Sequence, residues 1–154
     1  TVHVEWGLRL RVDLGSCFFN PRLQAERRRV CELMRPGERV LVLFSGIGVW
    51  PVLLAARGAC REVVGVEMNK QAHSLACSNV VANRLGHVVR CISADASQLQ
   101  QLGLGCFDRV VAPRPKGDGT EAALAALPSA VAAGGTLHAY GFCTGEQLES
   151  RTGG

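Results

Sequence analysis

The run Arg39-Val40-Leu41-Val42-Leu43-Phe44, passing directly into Ser45-Gly46-Ile47-Gly48, constrains this chain more than any other segment. An unbroken apolar run that ends in a turn signal fits a strand buried on both faces, as in a parallel sheet flanked by helices. Glycines two apart then let the chain turn tightly, which is how an α/β domain holds a nucleoside-bearing cofactor. The next apolar run, Glu62-Val63-Val64-Gly65-Val66-Glu67, closes on a carboxylate nineteen residues after Gly48. At the end of a second parallel strand that carboxylate can accept hydrogen bonds from both hydroxyls of a ribose.

The glycine pair is not the dinucleotide fingerprint, which needs a third glycine where Pro51 stands. This disfavours an NAD oxidoreductase, for which the chain also offers no suitable hydride-transfer partner. S-adenosylmethionine has no pyrophosphate to cradle and is the expected cofactor. On this reading Phe44, Ser45, Gly46 and Gly48 line its methionine side and Glu67 binds its ribose. Asp95 accepts from the adenine amino group, Ala96 helps to keep the pocket shallow, and Met68 packs on one adenine face. Each has a plainer alternative: a ligand-free turn for the glycines, helix caps for Glu67 and Asp95, and core packing for Met68.

Elements follow in regular alternation. Residues 1–19 read as a hairpin around Trp6-Gly7 and a turn at Gly15-Ser16, and an opening helix starts at Pro21 after Asn20 and stops before Pro36-Gly37. Strands are expected at 40–44, 63–67, 88–92, 107–112 and 136–142, helices at 50–57, 71–83 and 121–133, and a turn or short helix at 94–99. Right-handed crossovers then give a doubly wound α/β sheet, the Rossmann-like fold of class I S-adenosylmethionine-dependent methyltransferases. Residues 1–19 form a lead-in and 20–154 the cofactor-binding domain. A further helix begins at 144–149, leaving no room for the last strands usual in such a sheet. The expectation is a C-terminally truncated domain, with a missing flanking segment or a partner subunit over the open edge.

The length and the 47% apolar content suit one domain, and the net charge of +4 comes with a strong preference for Arg over Lys. Guanidinium groups suit phosphate and base edges, so nucleic acid is the expected partner. Seven cysteines, odd in number and scattered, read as reduced, buried thiols, and no His or Cys spacing forms a metal pattern. Gly, Arg or Glu interrupts every apolar run, so no membrane association is expected. The expected location is cytoplasmic, or mitochondrial if a targeting segment precedes residue 1.

After the fourth strand, Pro113-Arg114-Pro115-Lys116 forms a stiff basic loop at the carboxyl end of the sheet, where a substrate base would meet the methyl group. In the opening helix Glu26 stands one turn after Arg22. By helix geometry alone these two make an ordinary exposed ion pair. A carboxylate near a cation is also a sensible base for the N1 proton of guanine, and Arg22, Arg27 and Arg114 could hold the phosphates of a nucleic acid.

The segments Gly15 to Arg27, Gly37 to Gly48, Glu67 to Asn69 and Asp108 to Lys116 resemble the catalytic domain of the tRNA guanine-N1 methyltransferases that modify the base next to the anticodon, a group that includes the wybutosine-synthesis enzymes. The most specific match is Cys17-Phe18-Phe19-Asn20-Pro21-Arg22-Leu23-Gln24-Ala25-Glu26-Arg27. The resemblance implies Glu26 as general base, Gly46 and Gly48 as the methionine-side loop, Glu67 as ribose ligand, Asp95 as adenine contact, and tRNA as partner. Two departures stand out: Val42 where the family has an acidic residue, and Pro113-Arg114-Pro115 where it has Asn-Leu-Pro. Its second catalytic arginine and its tRNA-elbow-binding domain would fall before residue 1. Transfer of an aminocarboxypropyl group and a non-catalytic RNA-binding or bracing role are the competing expectations.

Overall fold

The computed structural model describes residues 1–17, 19–115 and 120–141. The chain opens with an antiparallel hairpin of β1 (Val2–Glu5) and β2 (Leu8–Arg11), closed by Trp6 and Gly7 at φ of 49° and 82°. Two successive positive φ values match the right-handed twist of the strands. Asn20 accepts from the Arg22 amide and starts a 3-10 turn over Pro21–Leu23, which runs into α1 (Gln24–Leu33). There follow β3 (Arg39–Leu43), α2 (Val49–Arg57), β4 (Glu62–Glu67), α3 (Lys70–Ala82), β5 (Val89–Ser93), a 3-10 turn over Ala96–Leu102, β6 (Phe107–Pro113), α4 (Glu121–Ala130) and β7 (Val131–Tyr140).

The strands of the main sheet lie in the order β5-β4-β3-β6-β7 and pair in parallel throughout. The chain therefore winds outward from β3 through β5, then returns to β6 on the other side of β3. Ligands of such sheets sit over the carboxyl ends of the strands at this reversal.

The unbroken apolar character of β3 now has its reason. Val40 and Val42 face a core layer with the hairpin and the first three helices, whereas Leu41 and Leu43 face a second layer with Phe107, Leu127 and the 96–102 turn. All four are fully buried.

Among the described residues two Arg–Glu pairs are buried inside the fold. Arg27 donates to both oxygens of Glu5 at 2.7 and 2.8 Å, clamping α1 to the hairpin, and Arg109 donates to both oxygens of Glu38 at 2.7 and 2.9 Å. Burial pushes the Glu5 carboxyl up, but the bonds from Arg27 and His3 outweigh it and hold it below the usual value. Asn79, fully buried in α3, accepts from the Arg11 amide and donates to the carbonyls of Arg11 and Ile47. One side chain thus joins the hairpin, the loop after β3 and a helix.

Several boundaries differ from the sequence reading. The alanine-rich helix ends at Ala130, not 133, and the last strand starts at Val131, not 136. Pairing of Val131 with Phe107 overrides the helix propensity of Ala132 and Ala133, and Gly134, at φ +74°, sits in the resulting register shift. The opening helix begins as a 3-10 turn. Cys17 and Cys31 are buried as expected, but Cys106 is exposed. Among the described residues no His, Cys, Asp and Glu cluster can hold a metal, and no helix is long and apolar enough to cross a membrane. Phe18, Lys116, Cys143 and the helix expected at 144–149 lie outside the described residues.

Candidate active site

The main cavity opens over the carboxyl ends of β3, β4, β5 and β6, with a volume of about 340 Å³. That is room for a nucleoside and a short chain. Of the residues expected around the cofactor, Phe44, Gly46, Glu67, Met68, Asp95 and Ala96 line it and Ser45 and Gly48 do not; Pro113 and Pro115, expected against the substrate, line it too, joined by Cys17, Thr120 and Ala123.

Glu67 is the best-defined polar group. Its Oε1 accepts from the Gly46 amide at 2.9 Å and its Oε2 from the Asn69 amide at 3.0 Å. An ionised carboxylate has about four lone-pair sites, so both oxygens retain capacity for ribose hydroxyls. Glu67 does not cap α3; Asn69 does, accepting from Gln71 and Ala72. The loop above β3 is backbone-strained. Phe44 holds φ +53°, and Gly46 and Gly48 hold +56° and +88°. A Cβ at Gly48 would stand 3.1 Å from the Ala76 Cβ, so glycine permits both the turn and the close packing of α3. Ser45 is buried, and its amide donates to the Val66 carbonyl, which locks the loop to β4.

At the other end Asp95 is exposed, accepts from the Ser97 amide at 2.9 Å, and is held below the ordinary carboxylate range by its hydrogen bonds from Ser97. It therefore caps the 3-10 turn while lining the cavity. Met68 is 64% exposed, so the core alternative for it is excluded.

A smaller apolar cavity adjoins the first, and Phe44, Gly46 and Pro113 border both. Phe19, Leu23 and Trp50 line it together with Asn20 and Arg27, a setting suited to the flat face of a base. Trp50 stacks on Tyr140 with ring centroids 5.8 Å apart.

Glu26 lines neither cavity. It pairs with Arg29, not Arg22: Arg29 donates to both carboxylate oxygens, and the Tyr140 hydroxyl donates to Oε1. Arg29 above all, and Tyr140 after it, bring the Glu26 carboxyl down to about 2. Burial, together with the bond to Glu26, raises the Tyr140 phenol. Arg22 is exposed, and its backbone amide is taken by Asn20. Arg27 is buried and paired with Glu5, yet it is among the residues that line the smaller cavity. Arg114 pairs with Glu121 at 2.9 Å, and its Nε is buried without a partner among the described residues. Sequence gave no signal for Tyr140, because its partner lies more than a hundred positions away.

The family profile described as the TRM5/TYW2 methyltransferase domain matches residues 1–152. The chain is 32% identical over 142 residues to the tRNA (guanine(37)-N(1))-methyltransferase Trm5b of Pyrococcus abyssi, covering 92% of this chain and 40% of that protein. The crystal structure of Pyrococcus abyssi Trm5b superposes with a TM-score of 0.82 at 27% identity, over 99% of this chain and 44% of that one. Methanocaldococcus jannaschii Trm5 in complex with adenosine superposes with a TM-score of 0.78 at 25% identity, over 89% and 41% respectively. The chain thus spans less than half the length of these relatives. The class I methyltransferase fold and the resemblance read from the sequence are both borne out.

Proposed function

Because the chain belongs to the TRM5/TYW2 methyltransferase-domain family, we propose that it methylates N1 of a guanine beside the anticodon of tRNA, using S-adenosylmethionine. The observation that carries this reading is Glu67, pinned by the Gly46 and Asn69 amides at the rim of a cavity that shares Phe44, Gly46 and Pro113 with a second, aromatic one. The first cavity suits a nucleoside cofactor; the second, only about 60 Å³, offers a flipped base a surface to stack on, and their shared wall is where methyl group and acceptor would meet.

When bound, the cofactor supplies an electrophilic methyl group. Glu67 would hold its ribose and Asp95 its adenine amino group, and the turn at Gly46 would border its amino-acid end. Pro113 forms a rigid wall between cofactor and base, Pro115 borders the cofactor cavity, and Arg22 and Arg114 offer charge to phosphate. Glu26, which lines neither cavity, would have to swing toward the smaller one to accept the N1 proton. A carboxylate near 2 is a weak base, so the Arg29 clamp must loosen first. The Arg29 side chain is 55% exposed and can turn to a phosphate of the incoming RNA.

The test is calorimetric titration of S-adenosylmethionine into the chain and into Glu67→Ala, followed by mass analysis of tRNA incubated with both. Micromolar binding that Glu67→Ala abolishes, with one methyl group added to guanine, supports the reading. Addition of an aminocarboxypropyl group would reassign the reaction, and absence of binding by folded protein would reject it.

A further inference from the structure

Trp6, at the turn of the hairpin, is half-buried with its ring packed against the core, and two guanidinium groups stand over that ring. Arg28, from the middle of α1, lies 4.7 Å from the centroid, and Arg57, from the last turn of α2, lies 5.8 Å from it. Arg57 also donates from Nη2 to the Trp6 carbonyl at 2.9 Å. Both arginines are exposed, and among the described residues neither meets a carboxylate, whereas Arg27, Arg29, Arg39, Arg109 and Arg114 each do. Two like charges over one ring repel each other, and the negative face of the ring offsets only part of that. A cation at the end of α2 complements the helix dipole, but Arg28 sits too far from either end of α1 for the same account to hold.

The pair lies close to the smaller cavity. Leu23 and Arg27 line that cavity, Arg28 follows directly, and the step from Leu23 to Arg28 is about 8 Å along the helix axis. Arg27 is clamped to Glu5, and the hairpin turn begins at the next residue, Trp6. Beyond the turn Arg9 and Arg11 are exposed on β2, opposite Val4 and Val2, with their backbone groups fixed to Asn83 and Asn79 of α3. Exposed cations thus continue from the cavity rim along α1 and over the hairpin.

We infer that Arg28, Trp6 and Arg57 form a docking strip for the sugar-phosphate backbone of the RNA that enters the smaller cavity, with each guanidinium taking one phosphate. The inference rests on the reading above of RNA as the partner. A guanidinium plane matches phosphate oxygens through paired N–H groups, and stacking on a ring anchored in the core fixes that plane beforehand. Contacts of this kind position a nucleic acid without reading its sequence. The strip therefore holds the nucleotides that flank the reacting base, while the cavity holds the base itself.

The experiment titrates a labelled anticodon stem-loop RNA with the wild-type chain, Arg28→Gln, Arg57→Gln, Arg28→Lys and Arg90→Gln, following fluorescence anisotropy at several salt concentrations. Arg90 is equally exposed but lies on β5 on the side of Ile92, the face of the sheet opposite the hairpin. Arg28→Gln and Arg57→Gln should each weaken binding and each reduce the slope of log affinity against log salt by about 0.7–0.9, the share of one phosphate contact. Arg28→Lys should keep the slope, and Arg90→Gln should change neither quantity. An equal loss in Arg90→Gln would mark net charge alone and overturn the inference, as would an unchanged slope in either Arg28→Gln or Arg57→Gln. Hydroxyl-radical footprinting of the wild-type complex decides the matter without any variant: Trp6 should lose reactivity when RNA binds, and an equally reactive Trp6 overturns the inference. Failure of wild type to bind the RNA removes the RNA reading and the inference together, whereas wild-type binding indifferent to Arg28 and Arg57 removes the inference alone.

Discussion

The Tyr140 hydroxyl donates to Glu26 Oε1 at 2.5 Å, joining β7 to α1 across 114 positions of chain. The same ring stacks on Trp50, which lines the smaller cavity, so the proposed base and the proposed base-binding wall share one support.

Tyr140→Phe keeps the stack and removes the bond. Stability is expected to fall by about 1 kcal/mol, the usual worth of one hydrogen bond, as measured by denaturant midpoint. The Glu26 carboxyl should titrate higher than about 2. An unmoved Glu26 titration, followed by NMR, would show that the bond does not form in solution.

Glu26 also sets an acid dependence. Its folded value lies below the ordinary 4.5, so its contribution to stability is fully present above pH 4.5 and is lost as pH falls toward 2. Arg29→Ala should raise the Glu26 value and flatten the stability curve across this window. Because Arg29 is largely exposed, the change is expected to be small, and most visible at low salt.

The buried pair Glu5–Arg27 makes a sharper case. Arg27→Ala leaves the Glu5 carboxylate buried and unpaired and should cost about 3–5 kcal/mol. Replacing both, as Glu5→Leu with Arg27→Met, should recover most of that loss. If the double variant is as unstable as the single one, the pair is not the joint between hairpin and α1.

Gly48→Ala places a methyl group 3.1 Å from the Ala76 Cβ at a φ of +88°. Left-handed backbone costs about 1–2 kcal/mol for a residue with a side chain, before the clash is counted. Adding Ala76→Gly should relieve the contact but not the backbone strain, so thermal unfolding should recover only in part. Complete recovery would mean that the turn itself tolerates a side chain.

Most of the scaffold was legible in the chain. The apolar runs of β3, β4 and β6 need burial on both faces, which only a parallel sheet between helices provides, and Asn20, Gly58 and Gly134 punctuate it where caps and turns require them. That Glu67, Gly46 and Asp95 would meet at one cavity was legible for the same reason, since strand ends in such a sheet converge on one crevice. The misplaced boundary at Ala130 shows the limit: local propensity favoured helix, and pairing with Phe107 decided otherwise.

What the sequence alone determined was therefore the period and order of the elements, and with them the family, the fold and the end of the sheet that carries the site. Tertiary structure alone decided the partners of the charged and polar side chains. Arg27 went to Glu5, Glu26 to Arg29 and Tyr140, Asn79 to the hairpin, and the hydroxyl of Thr120 to no partner among the described residues. The physical reason is one of range. Burial of a strand or a helix face depends on neighbours a few residues away, which recur with a period that can be read. A hydrogen bond or ion pair depends on two groups meeting within about 3 Å, and which groups meet is fixed only when distant segments have packed.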